Sequence, residues 1–320
     1  MEETAPIDPS VTSGEDVTAS TTTRSNRVIS KNYATFLQQR GAELARFLAW
    51  FIDNEKIPPR SDEAGRASGG ISLLGWSLGN VTTLSTLAFS STLDPELMKK
   101  LEPYLRKVII FGKRHDLIVT GIVNSSRIHV LDPANDTLGY PTPAHWYNPR
   151  SDPEISAEEL RSKSMIWLSS YFAHSPSSRD PIMLMHDFMK GNLAQHEIHP
   201  SKKPTVMSPT DISAGEEVIS TGHGDLFSVR ESARAVHETV RIRALFSDLN
   251  QTSGPPVLPK VDISYIWCTE SIWQAVFTMR SLQQDIASPP DHHYLARSVR
   301  FMALEGGNHF VSNKILIIIH

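Results

Sequence analysis

The chain has 320 residues and 35.6 kDa, with 40% apolar residues, a formal charge of −4 and a pI near 6.4. That length can bury a sizeable core as one large or two ordinary domains, and the near-neutral charge offers no basic face to nucleic acid or an anionic membrane. A lone Cys268 excludes an intrachain disulfide and fits an intracellular protein. The start is acidic and polar, without a signal peptide, and the longest strongly apolar run is residues 315–319, too short for a membrane span. The expected compartment is therefore cytoplasmic, and the Asn-x-Ser/Thr matches at Asn80, Asn124, Asn135 and Asn250 are read as chance.

Residues 1–32 are rich in Ser, Thr, Glu and Asp and predict a disordered lead-in. From Tyr33 the apolar residues Tyr33, Phe36, Leu37, Leu44, Phe47, Leu48 and Phe51 recur at helical spacing. They predict an amphipathic helix with one wide apolar face, stopped by Ile57-Pro58-Pro59.

After a polar loop at 60–68 comes a short apolar run, 71–74, with no helical period. It breaks off in Gly75-Trp76-Ser77-Leu78-Gly79, and residues 81–89 then start a helix. A strand that turns straight into a helix strains its central residue and leaves room only for small residues two positions either side. Gly75 and Gly79 meet that demand, so the stretch reads as a nucleophile elbow. The turn would lift the Ser77 hydroxyl above the sheet and set the Leu78 N–H at a helix N-terminus, as an oxyanion donor.

Candidate strands follow at 107–111 and 127–131, separated by a partly apolar segment at 117–123. Two organisations fit: an inserted hairpin, or an intrusion into a single strand. Turn formers at Asp132-Pro133 and Gly139-Tyr140-Pro141 close this region. Residues 142–259 have a different texture, with helical patterns at 158–173 (Leu160, Ile166, Trp167, Tyr171) and 225–246 around a His-, Lys-, Ser- and Pro-rich span. They read as a helical insertion. A strand at 261–267, a helix at 271–284 and a strand at 300–304 complete an α/β core made of residues 33–141 and 260–320.

A serine hydroxyl needs a base within hydrogen-bond reach, and the base needs a carboxylate. His309 lies in the Gly-flanked loop after the last strand, Glu305-Gly306-Gly307-Asn308-His309, and is the candidate base. Two carboxylates compete for the acid, with Glu270 the preferred one. Glu270 follows the strand at 261–267, and Asp132 follows the strand before it, where it could equally open an Asp-Pro turn. Trp76 either walls a substrate pocket or is buried against the next helix. His186, His196 and His199 lack the spacing of a metal frame, and His292-His293 reads as loop, so neither metal nor cofactor is expected.

With these motifs in hand, the chain resembles the α/β-hydrolase superfamily, and more closely the fungal α/β-hydrolase domain proteins. The matching stretches are Phe47-Leu48-Ala49-Trp50-Phe51 to Ile57-Pro58-Pro59, Gly75-Trp76-Ser77-Leu78-Gly79-Asn80, Leu131-Asp132-Pro133 with Leu138-Gly139-Tyr140-Pro141, and Gly307-Asn308-His309-Phe310. The resemblance covers residues 33–310 and implies an α/β-hydrolase fold whose residues 142–259 form a lid. Ser77 would be the nucleophile, Leu78 an oxyanion donor and His309 the base, with an acid after a late strand. The implied substrate is an ester, lactone or related acyl compound. Strands that precede the elbow in such proteins, with their second oxyanion N–H, have no counterpart before Tyr33. The alternative expectation is therefore a catalytically silent, truncated relative that binds a small molecule or a partner chain.

One expectation concerns the gene. Gly112-Lys113 can be encoded GGT-AAG and Leu131-Asp132 CTA-GAC, the signals that open and close an intron, and Val311-Ser312-Asn313 can carry a second opening signal. Excision of the first would join Phe111 to a restored Asp, giving Val-Ile-Ile-Phe-Asp-Pro-Ala-Asn, one strand followed by an Asp-Pro turn.

Overall fold

A computed structural model describes residues 15–63, 66–108, 128–131, 133–144, 146–149, 152–175, 194, 196–198, 200–203, 231–248, 258, 261–290 and 292–309. In chain order the elements are α1 (Glu15–Asn54), a hairpin of β1 (Ser61–Glu63) and β2 (Arg66–Ser68), β3 (Ile71–Trp76), α2 (Gly79–Ala88), α3 (Pro95–Leu101), β4 (Leu105–Val108) and β5 (Ile128–Leu131). Then come α4 (Ala157–Ser169), α5 (Glu231–Leu245), β6 (Phe246–Asp248), β7 (Asp262–Cys268), α6 (Trp273–Ala287), β8 (His293–Leu295) and β9 (Val299–Leu304). The chain is mixed α/β. No helix among the described residues is long and apolar enough to cross a membrane.

Five strands form one sheet in which every pairing is parallel. β4 and β5 occupy a single lane, end to end, between β3 and β7. Ser72 and Leu73 pair with Lys107 and Val108, and the next residues, Leu74, Gly75 and Trp76, pair with His129, Val130 and Leu131. On the other side Lys107 and Val108 face Asp262 and Ile263, and His129, Val130 and Leu131 face Ser264, Tyr265 and Ile266. Residues 109–127 lie outside the described residues; on both neighbours the register of the second segment takes up where that of the first leaves off.

Among the described residues β3 therefore forms one border of the sheet, with Leu74 exposed, whereas β7 is central and buried along nearly its whole length. A strand buried on both faces needs an apolar or β-branched run, and Ile-Ser-Tyr-Ile-Trp-Cys supplies it with only the small Ser264 interrupting.

Helix α1 begins at Glu15, well ahead of the expected boundary at Tyr33. It buries Tyr33, Leu37, Ala45, Leu48, Ala49 and Ile52. Phe36 and Phe47, expected on that same face, are 43% and 53% exposed, as is Trp50 at 56%. The buried stripe is thus narrower than the apolar one, and small residues set where it runs. At Gly41 an added Cβ would lie 2.9 Å from the Ser85 carbonyl carbon, so α1 and α2 approach at backbone distance there.

Helix α5 falls in the span expected to be a lid, yet it buries Ala233, Val236, Val240, Ala244 and Leu245 in the same core as α1 and α2. Its His237 ties these elements together. Nδ1–H donates to the Asp136 carbonyl at 2.6 Å, which leaves Nε2 to accept the Tyr33 hydroxyl at 2.9 Å. Burial lowers the His237 pKa to about 4, partly offset by the bond to Asp136, so the ring is neutral.

Candidate active site

The sharpest backbone feature of the site is Ser77, which holds φ 50° between β3 and α2. A non-glycine residue in the left-handed region is strained by roughly 1–3 kcal/mol and persists only where its surroundings enforce it. Asn80 supplies part of that enforcement. Fully buried, it donates from its side-chain amide to the Ser77 carbonyl at 2.7 Å and from its backbone N–H to the same oxygen at 3.2 Å.

The two flanking glycines answer different demands. A Cβ on Gly75 would lie 2.6 Å from Thr83 Oγ1 and 3.1 Å from the Gly79 carbonyl, so that site admits no side chain. A Cβ on Gly79 would meet nothing within 4 Å. The expected steric requirement at Gly79 is therefore corrected: α2 leaves the strand at an angle that keeps its first residue in the open. Next to Ser77, Leu78 caps α2, and among the described residues its backbone N–H meets no acceptor. That free donor sits at the positive end of the α2 dipole.

His309 arrives at Ser77 from the loop after β9, with Nε2 3.1 Å from the Ser77 Oγ. The two residues are 232 positions apart in the chain. The loop is held from several directions. The Thr269 hydroxyl accepts the Gly306 N–H at 2.9 Å, the Glu270 N–H donates to the Gly307 carbonyl at 2.9 Å, and the Asn308 side chain donates to the Ser169 carbonyl at 2.5 Å. Trp76 donates its indole N–H to the His309 carbonyl at 3.2 Å, and their rings lie 5.8 Å apart. Trp76 is thus half-buried, packed against the main core and engaged with the histidine loop.

The structure does not bring Glu270 to His309. Its carboxylate pairs with Lys202 Nζ at 2.5 Å, and Lys202 also lies over the Tyr171 ring. Asp132, the other candidate acid, lies outside the described residues. It follows Leu131, whose backbone pairs with Trp76 on one side and Ile266 on the other. His186 and His199 also lie outside, and His196 packs against Tyr147 with rings 3.9 Å apart. Among the described residues no group of three His, Cys, Asp or Glu could hold a metal ion.

Asn80, Lys202 and Asn308 escaped sequence reasoning as members of this site. The Gly-Asn pair beside each catalytic candidate was visible as a motif, but which carbonyl each amide reaches depends on chain packing. Comparison with protein-family models, curated proteins and solved structures finds no match to this chain.

Proposed function

We propose that the protein is a serine hydrolase of the α/β-hydrolase type, acting on an ester, lactone or related acyl substrate through an acyl-enzyme on Ser77. The observation that carries this reading is the 3.1 Å approach of His309 Nε2 to a Ser77 hydroxyl held at φ 50° on a strand-to-helix turn. Strain of that kind at a residue with a base in reach is the arrangement an activated nucleophile needs.

In the proposed reaction His309 Nε2 takes the Ser77 proton as Oγ attacks the acyl carbon. The carbonyl oxygen becomes an oxyanion that accepts from the Leu78 N–H. His309 then returns the proton to the leaving alcohol, and a water molecule, deprotonated by the same imidazole, releases the acid and restores Ser77. Asp132 is the acid this reading favours. Its chain neighbour Leu131 pairs with Trp76, the chain neighbour of Ser77, whereas Glu270 is engaged by Lys202.

A fluorophosphonate probe tests the proposal. Ser77 should be labelled, and His309→Ala should slow labelling by about 10²–10⁴-fold. An unlabelled wild type, or labelling undiminished in His309→Ala, overturns it.

A second reading, a catalytically silent binding protein of the same type, is favoured by the exposed Leu74 on β3 and the exposed Phe47 and Trp50 on α1. A cooperative thermal transition with ester turnover supports the first reading, and a molten signal without turnover supports the second.

A further inference from the structure

The residue before the candidate base is fully buried and polar, and its amide reaches across to a different part of the molecule. Asn308 is 0% exposed. Its donor meets the carbonyl of Ser169, the last residue of α4, at 2.5 Å. Carbonyls in the final turn of a helix have no partner within the helix, so Asn308 caps α4 from the loop that carries His309. Of the other ties on this loop, those from Leu304, Thr269 and Glu270 hold Gly306 and Gly307 from the sheet side, and the Trp76 indole holds the His309 carbonyl. Asn308 fixes the loop from the side of the helical insertion.

A buried amide is costly unless its hydrogen bonds are made, and an apolar residue would fill the space at less cost. What an amide adds is direction. We infer that Asn308 is a positioning residue for His309, bracing the base against the C-terminus of α4 so that imidazole and Ser77 hydroxyl keep their hydrogen-bond distance. The inference rests on the hydrolase reading above. It also gives α4 a role: displacement of its C-terminus, by a substrate or by mutation, moves the base.

The test compares Asn308→Ala and Asn308→Asp with wild type and His309→Ala, using a fluorophosphonate probe and a short p-nitrophenyl ester at a temperature where circular dichroism shows each protein folded. A misplacement of about 1 Å in a catalytic group can cost on the order of 100-fold. Both Asn308 variants should therefore label roughly 10- to 100-fold more slowly and lose kcat to the same extent, with KM within about twofold. Added imidazole should partly restore labelling in both, as in His309→Ala, because a free base can replace a misplaced one.

Wild-type labelling that depends on His309 but persists at full rate in both Asn308 variants overturns this inference and leaves the hydrolase reading standing. Absence of wild-type labelling overturns the hydrolase reading itself. Variants that do not fold, or slow variants that imidazole does not rescue, assign Asn308 to the stability of the fold and also overturn it.

Discussion

Trp76 and His309 are joined twice, by an indole N–H donated to the His309 carbonyl at 3.2 Å and by rings 5.8 Å apart at an interplanar angle of 37°. The residue before the candidate nucleophile thus holds the backbone of the candidate base. Trp76→Phe keeps a ring and removes the donor. It should cost about 1 kcal/mol of stability and slow phosphonate labelling of Ser77 roughly 3- to 10-fold, as measured by thermal unfolding and labelling rate on the same preparation.

The two elbow glycines should respond differently to alanine. At Gly75 the new Cβ would press on Thr83 Oγ1 and on the Gly79 carbonyl, and overpacking of this kind costs about 1–3 kcal/mol. At Gly79 there is open space. Chemical denaturation should show a lowered midpoint for Gly75→Ala and none for Gly79→Ala; equal losses would mean that the elbow is built differently.

The choice of acid is open to a direct comparison. Asp132→Asn should lower kcat by on the order of a thousandfold or more, since an imidazole without its carboxylate takes the wrong tautomer. Glu270→Gln, which breaks the pair with Lys202 at 2.5 Å, should lower kcat by less than about tenfold. The reverse order, measured as kcat on one ester, would move the role to Glu270.

His237 sets a pH limit on the fold. Its pKa is about 4 in the folded protein against 6.5 in the unfolded chain, so below pH 6.5 the unfolded state binds the extra proton. Its contribution is intact above pH 6.5 and is lost progressively as pH falls toward 4, amounting to roughly 3 kcal/mol over that window. Denaturation midpoints between pH 7 and pH 4 should fall accordingly. In His237→Gln the part of the slope that belongs to this residue should vanish; an unchanged slope would assign it to other groups.

The shared lane of β4 and β5 makes a prediction about the gene. Val108 is paired with Leu73 and His129 with Leu74, so three residues directly after Val108 fit the positions held by His129, Val130 and Leu131. A chain in which Phe111 is joined to Asp132 would offer Ile109, Ile110 and Phe111 to those positions and keep Asp132 one step beyond. Such a chain should unfold cooperatively at the same temperature or higher. Aggregation of that protein, or a spliced transcript that retains the codons between, would count against an intervening segment.

What the sequence determined by itself is local. The elbow at Ser77, the runs that become β3, β7 and β9, the helices after two of them and the Gly-Gly-Asn-His loop were legible because strand runs, turn glycines and helical periods are set by neighbours a few residues apart. Tertiary structure decided everything that needed two distant segments at once. The pattern at 107–131 does not show that its two ends share one lane, which their pairing to β3 and β7 reveals. Phe36 and Phe47 share a helical face with Leu37 and Leu48 by period, yet the close approach at Gly41 turns them outward. Glu270 stands at the end of a strand where an acid could serve, but a lysine 68 residues away in the chain holds its carboxylate. Ion pairs, helix caps and lane order are long-range choices, made by packing geometry that a one-dimensional pattern does not encode.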